Sequence, residues 1–205
     1  MVKVWGKNLN TSDISYTRPE KKVDKVYVSY ASINEAPCVV QFDRVPTSVS
    51  DGGKLVFDFD SIQMKQTIEF LAKQKCVDSS AEWFKGRIFT IEYIESAFNT
   101  LLDTGKARYY DSARKHVYPS EIVGRTDPFS TQVIVEFVGL QFSGRVITAL
   151  WELKQGKFDF THIDDYIGEV DDDDDSEVTE EADPIPEPEP PVDDAYDAPF
   201  DELLE

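Results

Sequence analysis

The spacing of apolar residues along the chain predicts a mixed domain in which strands outnumber helices. Alternating or continuous apolar runs of four to six residues, typical of strands, occur at positions 2–5, 26–30, 38–42 and 54–59. Val45-Pro46 favours an end to the third run, because proline cannot donate to a strand ladder. Asp51-Gly52-Gly53 predicts the turn that precedes the fourth.

Two stretches have helical spacing instead. Met64, Ile68 and Leu71 recur at i, i+4 and i+7, which predicts a helix from Ser61, as a capping residue, to about residue 77. Ser79 and Glu82 have capping-box spacing and indicate a short turn that stops at Gly86. A second helix is predicted over 90–105 from its apolar positions, with Gly105 as its stop: Ile91, Ile94, Phe98, Leu101 and Leu102.

The clearest hairpin lies near the end of the predicted fold. Residues 131–142 and 145–153 flank a Ser143-Gly144 turn, and a further turn is predicted at 155–157, before a short run at 158–160. The body is therefore predicted to be a β-dominated α+β domain. A small barrel or bent antiparallel sheet, carrying two to three helices, suits this pattern best.

Charge separates the chain into two parts. Of the 40 acidic residues, 17 lie in positions 171–205, a stretch without Lys, Arg or His; the rest of the chain has 23 acids against 21 bases. Like-charge repulsion, many prolines and few apolar groups predict a disordered tail. We expect a domain at 1–169 and an acidic, Pro-rich tail at 170–205. Its apolar residues are typical of a docking peptide: Tyr196, Phe200, Leu203 and Leu204.

The body carries three clusters in which cations alternate with aromatic rings. Cations track a phosphate backbone and aromatic faces stack on bases, so this mixture is typical of single-strand binding. The first cluster contains Lys106, Arg108, Tyr109, Tyr110, Arg114, Lys115 and Tyr118. The second contains Arg18, Lys21, Lys22, Lys25 and Tyr27, and the third Trp83, Lys85 and Arg87. The alternative for each cluster is that its rings are core and its cations only solvate a face.

Signals for catalysis or metal binding are weak. Asp58 and Asp60 are the best candidates for a metal-dependent nuclease, but such pairs are usually ordinary polar strand positions. The two cysteines and two histidines lack the paired spacing of structural zinc sites, and no phosphate-loop, dinucleotide or nucleophile-elbow motif occurs. We expect no enzyme activity, no metal and no cofactor.

The acidic tail resembles that of the single-stranded DNA-binding proteins of bacteria and their phages. In that family the tail closes on acids followed by Ile-Pro-Phe. Here the stretch 193–200, Asp-Asp-Ala-Tyr-Asp-Ala-Pro-Phe, is similar, although five residues follow it. The resemblance implies an OB-fold body that coats single-stranded DNA. It also implies a tail that recruits replication, recombination and repair proteins, with Phe200 at its tip.

Two other expectations complete the sequence-based interpretation. The absence of a long apolar run and the lack of a secretion signal at the N-terminus predict an intracellular protein, cytoplasmic in a bacterial host if the chain is viral. The competing interpretation is an acidic-tailed interaction or assembly protein, such as a chaperone for basic partners, that does not bind DNA.

Overall fold

The computed structural model describes residues 4–5, 9–122, 129–160 and 200, and the fold is strand-dominated with three α-helices in this part of the chain. The strands are β1 (Val4–Trp5), β2 (Ile14–Tyr16), β3 (Glu20–Val23), β4 (Val26–Ile33), β5 (Ala36–Val49), β6 (Leu55–Phe57), β7 (Phe98–Asp103), β8 (Arg108–Tyr110), β9 (His116–Val117), β10 (Phe129–Ser143) and β11 (Val146–Phe158). The helices are α1 (Gln63–Asp78), α2 (Ser80–Trp83) and α3 (Ile91–Ala97). The predicted β-dominated α+β class is confirmed, but the sheet is mixed and not antiparallel, because β1, β7 and β8 pair in parallel with their neighbours.

The long β10–β11 hairpin is the centre of the sheet. One edge of β10 pairs antiparallel with β5 along its first half and with β4 along its second half. The edge of β11 that faces away from β10 is also divided between two partners. It pairs in parallel first with β7 and then with β8. Each long strand thus changes partner partway along, so four other strands pair with the two outer edges of the hairpin.

A bulge in this hairpin decides which side chains of β11 point inward. Between Ile134 and Val135 the register with β11 shifts by one residue, which leaves Lys154 unpaired. Such a bulge exchanges the faces of the strand. Trp151 and Leu153 therefore point into the core before the bulge, whereas Gly156 and Phe158 do so after it.

A buried polar network attaches α1 to the sheet. The Glu69 carboxylate accepts hydrogen bonds from the Trp151 indole, at 3.0 Å, and from the Thr100 hydroxyl, at 2.9 Å. It also forms a 3.1 Å ion pair with Lys65, whose side chain is only 3% exposed. Ile68, Ala72 and Cys76 are buried on the same helix; of the predicted stripe only Ile68 is fully buried, and Met64 and Leu71 are half-buried.

The predicted helix at 90–105 is wrong in its second half. α3 stops at Ala97, and residues 98–103 form β7, which pairs in parallel with Ile147–Glu152 of β11. Leu101 is 53% exposed, so the apolar spacing that favoured a helix does not correspond to one buried face. Pairing with a neighbouring strand, which the local pattern does not encode, overrides helical propensity here.

Three smaller predictions about local structure also differ from the structure. β11 continues through the predicted turn at 155–157, because β10 and β8 pair with it on both sides. β5 continues through Pro46, which is exposed. Neither Ser61 nor Ser79 caps a helix through its side chain: Ile62 stands at the N-cap of α1, and Ser79 makes no such bond at the N-cap of α2. The turn at Gly144, with φ of 59°, is confirmed.

The chain divides into two compact units. One contains residues 1–162 together with 198–205, and the other contains 163–197. The predicted domain boundary at 169/170, the disorder predicted for the acidic tail, and the tail residues Tyr196, Leu203 and Leu204 lie outside the described residues. None of the helices in the described part is long and apolar enough to cross a membrane.

Candidate nucleic-acid interface

The first predicted cluster folds into a short hairpin at the edge of the sheet, β8–β9, here called the edge hairpin (residues 108–118). Its turn is fixed by the buried Asp111, whose carboxylate accepts a 2.8 Å hydrogen bond from the Lys115 amide. The Asp111 amide donates to the Lys115 carbonyl at 3.0 Å, and the Ser112 amide donates to the Phe160 carbonyl at 2.9 Å. The turn that carries Arg114 and Lys115 is thus fixed by hydrogen bonds within the hairpin and by one to the backbone of Phe160.

The outer face of the edge hairpin carries a row of three exposed or half-buried rings. Tyr110 and His116 are direct cross-strand partners, with their ring centroids 5.7 Å apart. Tyr118 continues the row, at 4.6 Å from His116, and is 59% exposed. Period-two alternation places Arg108 on the same face as Tyr110. This face therefore offers aromatic rings beside a cation.

The row continues from the edge hairpin onto the central strands. Tyr110 is in register with Lys157 of β11, which is in register with Gln132 of β10. Partners in register point to the same face of a sheet. Rings, a lysine and a side-chain amide therefore follow one another across the strands, and this surface is here called the aromatic–basic face (Arg108, Tyr110, His116, Tyr118, Lys157 and Gln132).

A cleft of about 1330 Å³ adjoins this face. Lys157, Gln132 and Ser112 line it on the side of the face, and Arg44 lines it on the side of β5. The acids Asp43 and Asp159 line it as well, and the Gln132 side-chain amide donates a 2.7 Å hydrogen bond to the Asp43 carboxylate. Arg44 lies at a bulge in the β5–β10 pairing and has φ of 56°. The backbone of Arg114 is also in the left-handed region, with φ of 65°. Such backbone costs energy in non-glycine residues, and in the described part of the chain it also occurs at Lys25, Asn34, Glu35 and Lys85.

Three of the rings predicted to stack on bases are instead part of the core. Tyr109 is 6% exposed and stacks on Phe57 and Phe158, at centroid distances of 6.4 and 5.8 Å. Tyr27 is 4% exposed and Trp83 is 3% exposed. Each ring is on the inner side of its element, so its face is not open to a ligand in this structure.

The three predicted clusters do not form one surface. Tyr27 pairs with Phe142 on β10, and Trp83 packs against the same Phe142 ring at 6.0 Å, so the second and third clusters lie close together. The Arg18 guanidinium links them through a 3.4 Å hydrogen bond to the Glu82 carbonyl. The edge hairpin lies beside Gln132, ten residues away along β10, a path of roughly 33 Å at about 3.3 Å per residue.

The cations of all three clusters lie at the surface. Those of the first cluster are exposed, namely Lys106, Arg108, Arg114 and Lys115. In the second, Lys21, Lys22 and Lys25 are exposed, and the Lys22 ammonium lies 4.6 Å from the centre of the Tyr30 ring. In the third, Lys85 and Arg87 are exposed.

Sequence reasoning missed His116, Lys157 and Gln132. His116 was recognisable in principle, because it stands two residues before Tyr118 and alternation puts the two on one face. Lys157 was missed because a turn was wrongly predicted at 155–157, where β11 in fact continues. Gln132 joins the face only through its register with β11, for which the sequence has no local signal.

The cysteines and aspartates considered for other chemistry make structural contacts, and His162 lies outside the described residues. Cys38 and Cys76 are fully buried free thiols; burial raises the pKa of the Cys38 thiol to about 12 and that of Cys76 further. Asp60 forms a 2.5 Å ion pair with Lys65, and Asp58 accepts a 3.0 Å hydrogen bond from the Ser61 hydroxyl through its carbonyl. Among the described residues, no group of three or more His, Cys, Asp or Glu is arranged to hold a metal ion.

The sequence matches no protein-family model, and no curated protein or solved structure is significantly similar to the chain.

Proposed function

We propose that this protein binds single-stranded DNA independently of its sequence and protects it during replication, recombination and repair. The binding surface is the aromatic–basic face with the turn of the edge hairpin. The observation that carries this proposal is the row of the half-buried Tyr110 and the exposed His116 and Tyr118, which lies beside Arg108 and Lys157. Rings that stack on bases, next to cations that contact phosphates, are what sequence-independent binding of a single strand requires.

The shape of the sheet supports a finer proposal for the fold, an OB-fold-like small barrel. β10 and β11 each exchange one edge partner for another along their length, a pairing pattern that suits a curved sheet. Barrels of this kind bind oligonucleotides on an open face of their strands. The aromatic–basic face lies on such strands, and the adjoining cleft gives a strand room to continue past Lys157 towards Arg44.

Binding of a fluorescent dT oligonucleotide, followed by anisotropy across a salt series, tests the proposal. Tyr118→Ala should weaken binding by about 1–3 kcal/mol, the value of one stacked base. Arg108→Ala should weaken binding to all sequences alike and lower the salt dependence by about one counterion. Phe70→Ala, which removes an aromatic ring 53% exposed on α1, is the matched control and should bind as the parent does.

The same experiment identifies the competing function. If the parent protein does not bind dT at low salt but binds a basic protein, the chain is an acidic interaction protein and the proposal is wrong. If dT binds and Tyr118→Ala and Phe70→Ala behave alike, the protein binds DNA elsewhere. The second and third clusters, around Phe142, would then be the surface to examine.

We also propose that the acidic tail competes with DNA and recruits partner proteins. Seventeen acids on one chain with a basic surface act at a high effective concentration. Deleting residues 171–205 should therefore tighten dT binding, most visibly at low salt where screening is weak. Equal affinity of the parent and the truncated chain at low salt would contradict competition.

A further inference from the structure

Phe200, the predicted partner-binding tip of the tail, is buried against the folded body. Its side chain is 1% exposed. Four rings surround it, with centroids at 5.3 Å (Phe84), 5.7 Å (Phe89), 5.9 Å (Phe142) and 6.1 Å (Tyr93). These four rings are here called the tip pocket. The Phe200 amide also donates a hydrogen bond to the Gly144 carbonyl in the β10–β11 turn.

The rings of the tip pocket pack against one another as well as against Phe200. Its rings contact one another: Phe84 lies 5.1 Å from Phe89 and 5.5 Å from Phe142, and Phe89 stacks on Tyr93 at 4.8 Å. Edge-to-face and stacked pairs at such distances stabilise each other beyond the area they bury. A phenylalanine is the ligand that this arrangement accommodates.

Charge around the pocket complements the sequence around Phe200. Asp197, Asp201 and Glu202 flank Phe200 along the chain. On the body, Lys85 directly follows the pocket residue Phe84 and Arg145 directly follows Gly144, whereas Glu92 directly precedes the pocket residue Tyr93; all three are exposed. The four rings therefore suit a phenylalanine side chain, and two of the three charges next to the pocket in sequence suit acidic flanks.

The tip pocket is separate from the aromatic–basic face. Phe142 and Gly144 lie at the turn end of the hairpin, whereas Tyr110 and Lys157 adjoin Gln132, ten residues away along β10. Occupation of the pocket by Phe200 therefore leaves the ring row of Tyr110, His116 and Tyr118 uncovered by that residue.

We propose that the tip pocket is the docking site for the acidic tip of the same chain, and that docking withholds Phe200 from partner proteins. A partner that binds the tip must first displace it from the pocket. The withholding step rests on the proposed recruiting role of the tip, whereas the docking itself does not depend on nucleic-acid binding.

A dye on a cysteine introduced at position 198 of the full chain reports docking directly. Cys38 and Cys76 are buried, so the new thiol is the one that reacts. The dye should show high anisotropy in the parent and a clear fall with Phe200→Ala. It should be unchanged on hundredfold dilution, because the site and its ligand are in one chain. No difference between the parent and Phe200→Ala would overturn docking, and a fall on dilution would assign the pocket to a second copy instead.

A competing peptide tests the specificity of the pocket. The peptide of residues 193–205 should lower the anisotropy of the labelled chain at roughly millimolar concentrations, because it competes with a tethered ligand. The same peptide with alanine in place of Phe200 should be about 10- to 100-fold weaker, as expected for loss of one buried phenylalanine. Equal competition by the two peptides would mean that charge alone holds the tip, contrary to the proposal.

Two tyrosine variants separate this inference from the proposed function. Tyr93→Ala removes the half-buried ring of the pocket and should release the labelled tip while dT binding persists. Tyr118→Ala, the matched tyrosine variant, should keep the tip docked while dT binding weakens. Retained docking in Tyr93→Ala together with loss in Tyr118→Ala would place the tip on the aromatic–basic face and overturn the separate pocket. If Tyr118→Ala left dT binding unchanged while Tyr93→Ala released the tip, the result would contradict the proposed function and not the docking.

Discussion

At Gly139 the backbones of β10 and β4 leave no room for a side chain. A Cβ there would lie 2.0 Å from the Ser29 carbonyl oxygen and 2.9 Å from the Ala31 amide nitrogen, and φ is 138°, a value that L-residues rarely adopt. Both neighbours are backbone atoms of a paired strand, so neither moves without breaking the ladder.

We therefore expect Gly139→Ala to lower the free energy of unfolding by about 3 kcal/mol or more, since steric overlap and backbone strain add. Urea denaturation measures this loss in the free energy of unfolding. Gly52→Ala is the matched control, because nothing lies within 4 Å of a Cβ at that position. Its effect should stay within about 0.5 kcal/mol, as for other surface changes. Equal stability of the two variants would contradict the close approach at Gly139.

The exposed cations of the edge hairpin were predictable from the sequence, but the orientation of its rings was not. Tyr109 and Tyr110 are adjacent, and alternation requires them to point to opposite faces. Which of them is buried depends on the phase of the strand, and β8 has only three residues from which to read it. The phase follows from Gly156, directly opposite Tyr109, whose missing side chain leaves space for the Tyr109 ring.

At the scale of elements, the sequence predicted α1 well because its own periodicity decides which face is buried. β7 was not predictable in the same way. Its stability comes from six parallel pairs with β11, a strand more than forty residues later. Parallel pairing of this kind has no local signature, since β8, β9 and β10 lie between the two partners along the chain.

The attachment of α1 to β11 gives a prediction at this scale. Glu69→Ala removes the acceptor of the Trp151 indole and one partner of the buried Lys65. Leaving a buried charge with less compensation costs about 3–5 kcal/mol, and we expect a loss of that order in the free energy of unfolding. Glu95→Ala is the control, because it breaks the more exposed 3.8 Å ion pair between α1 and α3 and should cost about 1 kcal/mol or less. Similar losses from the two variants in urea denaturation would contradict the anchoring role of Glu69.

At the scale of the whole molecule, the order of the elements was largely predictable, whereas their arrangement was not. Local patterns located the β10–β11 hairpin, its Gly144 turn and α1. They did not show that β4 and β5 share one edge of β10, or that β7 and β8 share one edge of β11. The separation of the predicted clusters into two distant surfaces follows from that sharing alone.

The whole fold also determines how stability depends on pH, because several acids are buried in their neutral forms. Burial raises the pKa of Tyr109 and of Cys38 to about 12 each, and raises the pKa of Tyr16 and Cys76 as well. The unfolded chain releases these protons at ordinary values, 10.0 for tyrosine and 9.0 for cysteine. Below about pH 9 both states hold the protons and stability is unaffected. Above it, the unfolded state is favoured by up to about 1.4 kcal/mol per pH unit for each group.

We therefore expect the urea midpoint to fall steadily between about pH 9 and pH 12. Tyr109→Phe removes one of the groups responsible. The difference in the free energy of unfolding between this variant and the parent should be about 1 kcal/mol more favourable to the variant at pH 11 than at pH 7. The reason is that phenylalanine has no proton to release on unfolding. Tyr118→Phe, the same change at an exposed tyrosine, should keep the pH dependence of the parent. If both variants followed the parent between pH 9 and pH 12, Tyr109 would not be held neutral in the core, and the packing assigned to the inner side of the edge hairpin would be wrong.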